Sequence, residues 1–482
     1  MGSDGSSARL SFGSRVTAVE HLAILAGGKG TRLSGVASDL PKVLVPVGGK
    51  PVIAHQLELA AAAGIREVWV FAGHLGKKLL AFLRETGMGA QFGLHVQMVE
   101  EDTPRGSAGM LLSYIEQLPW HFLVLNGDLM LAVDLQRMAR RHFESGASFT
   151  VLAHPNDHPH DSDLIETDFG DWVTAVHPYP HPPNASFANL ANAGLYVASR
   201  HAICRYPPDR WLNRASYRQE DFGKHVLPEA LRRARESNDM GGVLAYRSSE
   251  YIKDMGTPER LREVEADWQA GRISLSGPPD GQPAVFLDRD GTLNLDKGVR
   301  SPADVEILPG VGRALRALRA AGYRLVVLTN QPVIARGEVD EAQLALIHRR
   351  LEWELGKEGA FLNAIYVCPH HAERGHVGER GELKVECDCR KPATGLCERA
   401  CTELGLDKRR SWMVGDQTRD IEMARRAGLR SVLVRTGVGG ADSKFAAEPD
   451  FVADDLAAAA EIILRRGGVR QGVPPDMATS AI

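Results

Sequence analysis

Short apolar runs recur along the chain, each ending in a polar residue or a glycine. Between them lie stretches whose apolar residues are spaced three and four apart. In the N-terminal half HLAILA (21–26), EVWVFAG (67–73) and HFLVLNGD (121–128) read as strands, with helices predicted over Pro51–Ala63 and Leu75–Glu85. In the C-terminal half AVFLD (284–288), YRLVVLTN (323–330), AIYVC (364–368) and SWMVGD (411–416) read as strands. Strand patterns alternating with helix patterns predict α/β architecture with mainly parallel sheets, in which ligands gather at the carboxyl ends of strands.

A helix-like run, Pro258–Trp268, is followed by AGRISLSGPPDGQP (270–283), which is rich in Gly, Pro and Ser and has no hydrophobic period. The expected organisation is a flexible leader over 1–20, a domain over 21–269, a linker over 270–283, a second domain over 284–466 and a flexible tail over 467–482. The 482 residues suit two domains of this size.

Charge narrows the partners. Lys and Arg number 57 against 61 Asp and Glu, a net charge of -4, so a cationic surface for nucleic acid is not expected. No run reaches the ~18 consecutive apolar residues of a membrane helix, and the first twenty residues carry no secretory pattern. The chain reads as cytoplasmic. Five of the 6 cysteines fall between Cys368 and Cys401, which suggests a local metal site rather than a disulfide scaffold.

The first strand runs into Ala26-Gly27-Gly28-Lys29-Gly30-Thr31-Arg32-Leu33, with Pro41-Lys42 shortly after. Glycines at a strand end let backbone N–H groups approach phosphate oxygens, and Arg32 and Lys42 would neutralise them. The loop is neither a Walker A nor a G-x-G-x-x-G element. GGKGTRL followed by SDLPKVLVPVGGKPVI resembles the sugar-1-phosphate nucleotidyltransferases (signature GGxGTRLxPxTxxxPKP), with SDLPK similar to their heptose-phosphate branch. The sequence departs from that signature at Gly35 or Val36 and at Val43.

The resemblance extends over about His21–Trp268. It implies base and sugar contacts at Glu101 and Gly106 in EDTPRGSAG, and sugar contacts at Asn192 and Gly194 and at the acidic pair Glu220-Asp221. It also implies two magnesium ligands, Asp128 in NGD and Asp254 in DMGTP. In such chemistry a sugar-1-phosphate oxygen attacks the α-phosphorus of an NTP and pyrophosphate leaves. Catalysis then rests on alignment and charge neutralisation, by magnesium and by Arg32 and Lys42.

In the second half an apolar strand leads into Asp288-Arg289-Asp290-Gly291-Thr292. A calcium loop fails on spacing, because Val299 stands where a bidentate Glu is needed. DxDGT after a strand resembles the haloacid-dehalogenase (HAD) phosphohydrolases, and Thr329-Asn330, Lys391 and Gly415-Asp416 supply that family's remaining elements in order. The resemblance implies Asp288 as nucleophile, Asp290 as acid and base, and Thr329 and Lys391 on the phosphoryl oxygens. Magnesium would sit on Asp288, Asp416 and the Asp290 carbonyl. Asp420 either orients that metal shell or caps the next helix.

Cys368-Pro369-His370 and Cys387-Asp388-Cys389 supply three thiolates and an imidazole, a set typical of structural zinc, with His371 as the alternative to His370. Cys397 and Cys401 are expected in the core. CPHH…CDCRKP, with TNQPVIARG before it and VGDQTRDIEMARRAG after it, is similar to the heptose bisphosphate 7-phosphatases. The zinc-containing histidinol-phosphatases are the rival, and Pro332-Val333 stands where the heptose enzymes tend to have Ser-Gly. Arg390 is a substrate-phosphate contact by the same resemblance, which spans about Pro283–Arg465.

The expected fold is therefore an N-terminal Rossmann-like nucleotidyltransferase domain joined to a C-terminal HAD-like Rossmannoid domain with a zinc-bound loop. The resemblances imply a bifunctional enzyme. The second half would convert a manno-heptose 1,7-bisphosphate to the 1-phosphate, and the first half would couple that product to a nucleotide, GTP and the α-anomer being favoured. Small molecules are the expected partners, and nucleotidyltransferase analogy implies a homo-oligomer. The alternatives are a hexose-1-phosphate nucleotidyltransferase fused to another sugar phosphatase, or one half kept as a non-catalytic binding module.

Overall fold

A computed structural model of the chain is described for residues 18–28, 39–100, 105–168, 170–182, 185–204, 220–236, 241–273 and 281–467. Gly30, Thr31, Arg32 and Glu101 lie outside these residues, as do the leader up to residue 17 and the tail from 468. Among the described residues no helix is long and apolar enough to cross a membrane.

The N-terminal half contributes β1 (His21–Ala26), β2 (Pro46–Val47), β3 (Lys50–Pro51), β4 (Glu67–Ala72), β5 (His95–Glu100), β6 (His121–Asn126) and β7 (Leu129–Ala132). It continues with β8 (Phe149–His154), β9 (Leu164–Thr167), β10 (Val173–His177), β11 (Ala191–Ser199), β12 (Val243–Arg247) and β13 (Tyr251–Asp254). Its main sheet runs β10-β9-β11-β6-β1-β4-β5, with β8 and β12 joining through β11. β1 pairs in parallel with β4 and β6, whereas β11 runs antiparallel to β6. β7 and β13 form a separate antiparallel ribbon.

The apolar runs of β1, β4 and β6 are continuous because both faces of this sheet are covered. Successive side chains point to opposite faces. Leu22 and Ile24, with Val68 and Val70, therefore enter one core, while Ala23 and Leu25, with Trp69 and Phe71, enter the other. The predicted helices form at Val52–Ala62 and Gly76–Thr86.

The C-terminal half builds an all-parallel sheet from β14 (Ala284–Leu287), β15 (Arg324–Asn330), β16 (Ala364–Cys368), β17 (Trp412–Gly415), β18 (Arg430–Val434) and β19 (Phe451–Ala453). The order is β16-β15-β14-β17-β18-β19. Taken together, parallel pairings dominate the two main sheets. Alternation again divides the cores: Val285 and Leu287 face one side, Ala284 and Phe286 the other. β14 is central and its neighbours are reached by connections in opposite directions, so its carboxyl end is a switch-point crevice.

Candidate active sites

In the C-terminal half, Asp288 follows directly on β14, and its backbone N–H is tied to Val414 O of β17 at 2.9 Å. Thr329-Asn330 ends β15, and Asp416 follows β17. Lys391 Nζ lies 2.9 Å from Asp288 Oδ1 and 2.7 Å from Asp420 Oδ1, and all three side chains are buried. Asp288, Asp416 and Asp420 each place a carboxylate oxygen within 4.8 Å of the others, a group that could hold a metal ion.

Burial chiefly pushes the Asp416 carboxyl up to about 8, aided by the Asp288 charge. Burial likewise raises Asp288 to about 6, although Lys391 opposes it. Asp416 Oδ2 accepts from Val438 N at 2.7 Å, while its buried Oδ1 has no protein partner. A buried carboxyl oxygen with no donor keeps its proton until a hard divalent cation takes that proton's place. Gly291 (φ +77°) makes the crevice that narrow, since a Cβ there would stand 2.4 Å from Asp416 Oδ2. Asp420 takes the capping role, in a capping box with Gln417 at the start of the helix Thr418–Ala427, and also pairs with Lys391.

Asp290 is held by three side chains. Arg289 donates through Nε to Oδ1 (3.0 Å) and through Nη2 to Oδ2 (2.7 Å), Asn294 Nδ2 donates to Oδ1 (3.0 Å), and Gln331 Nε2 donates to Oδ2 (2.9 Å). Burial alone would raise its pKa, but Arg289 and the two amides outweigh that and hold the carboxyl below its ordinary range. Gln331 Nε2 also donates to Thr329 Oγ1 at 2.8 Å, so one amide aligns both side chains. Asn330 clamps the backbone of Lys391, donating to its carbonyl (3.1 Å) and accepting from its N–H (3.0 Å).

Cys368, at the end of β16, gathers with His370, Cys387 and Cys389, whose ligand atoms all lie within 4.8 Å. Cys389 Sγ is 3.2 Å from Cys368 Sγ and 3.3 Å from Cys387 Sγ, Cys368 and Cys387 are 3.7 Å apart, and His370 Nδ1 is 3.2 Å from Cys389 Sγ. A tetrahedron of ~2.3 Å zinc–sulfur bonds has edges of about 3.8 Å, which this set approaches. His371 turns away, its Nε2 3.4 Å from Arg336 Nη2. The knot runs straight into two cationic residues: Arg390 Nη1 donates to His370 O at 3.1 Å, and Lys391 follows. Cys397 is buried and Cys401 partly buried on the helix Gly395–Leu404.

In the N-terminal half, β1 delivers Ala26, Gly27 and Gly28 to the sheet edge, where an added Cβ at Gly28 would meet nothing within 4 Å. Lys42 Nζ pairs with Asp128 Oδ2 at 2.9 Å. The β7–β13 ribbon carries Asp254 beside that pair, with Met255 N donating to Asp128 O at 3.0 Å. Arg260 Nη1 reaches both oxygens of Asp254 at 2.9 Å, and Gly256 N donates to Oδ1 at 2.9 Å. Burial would raise the Asp254 pKa, yet these donors leave it lowered. Each carboxylate is thus neutralised by a cationic side chain.

Across the crevice Gly106 (φ +83°) lies against Glu220, where a Cβ would stand 2.3 Å from the carbonyl oxygen; Ala108 N donates to that oxygen at 2.9 Å. Gly194 N donates to Asn192 Oδ1 at 3.1 Å, and Asp221 accepts from Lys224 N at 2.9 Å. In the C-terminal half the expected residues gather into two clusters, Asp288 with Lys391 and Asp416, and Cys368 with His370, Cys387 and Cys389; in the N-terminal half Lys42 meets Asp128 and Gly106 meets Glu220. Arg289, Asn294 and Gln331 are members that motif reading missed. Gln331 could have been found, since it directly follows Thr329-Asn330.

Comparison with known proteins fits this division. Residues 22–271, just over half of the chain, match the nucleotidyl transferase family, and residues 388–459 match a HAD-hydrolase-like family. The chain joins a nucleotidyl transferase family member to a HAD-like phosphatase family member. The phosphatase half is 45% identical over 160 residues (33% of this chain, 85% of the relative) to the D-glycero-beta-D-manno-heptose-1,7-bisphosphate 7-phosphatase of Haemophilus ducreyi. It is 41% identical over 186 residues (38% and 97%) to the protein of that name from Haemophilus influenzae. Among solved structures it is 35% identical, at a TM-score of 0.34, to the D,D-heptose 1.7-bisphosphate phosphatase of B. bronchiseptica, covering 38% of this chain and 98% of that one.

Proposed function

We propose that the phosphatase domain removes the 7-phosphate of D-glycero-D-manno-heptose 1,7-bisphosphate. The transferase domain then joins a nucleotidyl group, GTP being favoured, to the resulting heptose 1-phosphate and releases pyrophosphate. The observation that carries this reading is the pairing itself. A half 45% identical to a heptose bisphosphate 7-phosphatase shares a chain with a nucleotidyl transferase domain, and the resemblance of that domain's motifs to sugar-1-phosphate nucleotidyltransferases makes the phosphatase's product a fitting substrate for it. The β-anomer in the relatives' names belongs to them. Hydrolysis at C7 is remote from the anomeric centre, and we assign the α-anomer from the transferase half.

Asp288 attacks the C7 phosphorus, forming an aspartyl-phosphate as the P–O7 bond breaks, and Asp290, ionised in the free site, takes up a proton with the substrate and gives it to O7. Water then attacks the same phosphorus, passing a proton to Asp290, and Asp288 is released with inorganic phosphate. Thr329 and Lys391 hold the phosphoryl oxygens, and Arg390 takes a substrate phosphate. The unpartnered Asp416 oxygen supports a magnesium site of Asp288, Asp416 and the Asp290 carbonyl. When bound there the ion supplies charge neutralisation between carboxylate and phosphate. Cys368, His370, Cys387 and Cys389 fit a structural zinc that fixes the Arg390-Lys391 segment.

In the transferase domain Asp128 and Asp254 would hold magnesium, with Lys42, and Arg32 outside the described residues, neutralising phosphate. Asn192, Gly194, Glu220 and Asp221 bind the sugar. Gly106 and Glu101 meet base and sugar, and the backbone from Ala26 through Thr31 receives the triphosphate. Asp288→Asn and Asp128→Asn test the division of labour. Each should abolish one activity and spare the other, measured separately with bisphosphate and with heptose 1-phosphate plus GTP. A variant that keeps the activity assigned to its residue overturns that assignment.

A further inference from the structure

Arg289, the residue between the two aspartates of the DxD element, is 2% exposed and spends every guanidinium nitrogen. Nε and Nη2 grip the two oxygens of Asp290, and Nη1 donates to His348 Nε2 at 3.1 Å. An arginine can only donate, so His348 Nε2 is an acceptor and its ring is neutral, protonated on Nδ1. His348 belongs to the helix Glu341–Lys357.

That helix is seated on the transferase domain by its next face. Arg349 Nη2 pairs with Glu166 Oε1 at 2.8 Å, Asn189 N donates to Glu352 Oε2 at 3.2 Å, and Trp353 packs edge-on against His160 at 4.4 Å between centroids. Positions 349, 352, 353 and 356 form one stripe of the helix, and a Cβ on Gly356 would stand 2.8 Å from Pro159. His348, one residue off that stripe, points inward at Arg289. The rotation of the helix that points His348 at Arg289 is therefore fixed from both sides.

We propose that Arg289 and His348 are positioning residues of the phosphatase: His348 fixes the guanidinium, and the guanidinium aims the Asp290 carboxylate. The inference rests on the role given to Asp290 above. Neither residue touches the phosphoryl group, so their loss moves the proton carrier without removing nucleophile or metal ligands. Misplacement of a catalytic group by about 1 Å costs on the order of 10²-fold. The defect depends on the leaving group. A sugar alkoxide needs the Asp290 proton to depart, whereas p-nitrophenolate leaves without one. Hydrolysis of the aspartyl-phosphate needs Asp290 as base with either substrate.

The full chain with His348→Leu, His348→Gln (whose amide oxygen can still accept from Arg289) and Arg289→Met is assayed on heptose bisphosphate and on p-nitrophenyl phosphate. Transferase turnover on heptose 1-phosphate serves as the folding control. For His348→Leu and Arg289→Met the phosphatase kcat should fall about tenfold or more with KM within about twofold, transferase turnover should be unchanged, and the first burst of p-nitrophenolate should keep its parental rate. His348→Gln should stay within about threefold of the parent. A burst slowed as much as steady state, equal losses in the Leu and Gln variants, or unchanged kcat in His348→Leu would each overturn the proposal. Parental inactivity on heptose bisphosphate would instead refute the substrate reading, and the p-nitrophenyl phosphate comparison would still decide this one.

Discussion

Lys391→Met removes one charge while keeping most of the side chain's bulk. Its Nζ lies 2.9 Å from Asp288 and 2.7 Å from Asp420, with Asp416 in the same cluster, so the variant leaves three crowded carboxylates without their cation. Removing one partner of a buried ion pair costs about 3–5 kcal/mol. For a domain of this size that is a fall in Tm of about 6–20 °C.

The sign with pH follows from Asp288 and Asp416, whose pKa values already stand near 6 and 8 against an ordinary 3.8. Above pH 4 the unfolded chain gives up these protons while the folded cluster keeps them, so stability falls as pH rises toward 8. Without Lys391 both values climb further. The loss in the variant should therefore be largest at pH 8 and small near pH 5, and magnesium should recover part of it at pH 8. Calorimetry of the parent and the variant at both pH values, with and without magnesium, reads this directly. A fall under about 2 °C at pH 8, or equal falls at both pH values, would refute the charge argument.

Further expectations concern other parts of the chain. Cys389→Ser, or metal chelation, should lower the thermal stability of the phosphatase half and its activity, because the knot leads into Arg390 and Lys391, while transferase turnover persists; unchanged melting would deny the metal site. Gly106→Ala should lower transferase kcat/KM at least about tenfold and cost about 1–2 kcal/mol, because its φ is left-handed and the Cβ would meet the Glu220 backbone. Glu352, raised to about 7 chiefly by burial at the seam between domains, loses stability as pH rises from about 4.5 through 7. Glu352→Gln should flatten that part of the stability profile in a pH series of thermal melts, and an unaltered slope would assign it elsewhere.

The strands read from the sequence were legible as unbroken apolar runs, most of them buried on both faces, whereas β11 and β13, which carry Asn192, Gly194 and Asp254, were not read as strands. β1 and β16 form over the predicted residues, and β4, β6, β14, β15 and β17 begin or end within one or two residues of the reading. β5 and β10 were not legible, since their exposed and half-buried positions at the sheet margins leave no apolar run. Asp128 and Asp254 could each be found by motif. Their adjacency depends on the β7–β13 ribbon, which pairs residues as far apart as Leu129 and Asp254 in a register no local pattern encodes. His348 carried no sequence signal, because its meaning comes from the docking of one helix against Arg289 on one side and the transferase domain on the other. The three cysteines of the zinc-type set were legible from their spacing, whereas His370 and His371 were both open until the structure gathered His370 with them and turned His371 toward Arg336.

The central claim is that the two halves catalyse consecutive steps on one heptose. The direct test incubates the purified chain and magnesium with D-glycero-α-D-manno-heptose 1,7-bisphosphate and each NTP in turn, following phosphate, pyrophosphate and nucleotide-sugar. The account predicts phosphate first, then pyrophosphate and nucleotide-heptose with GTP, and phosphate alone when Asp128 is replaced by Asn. Phosphate without any nucleotide-sugar in the parental chain, or neither product, would contradict it.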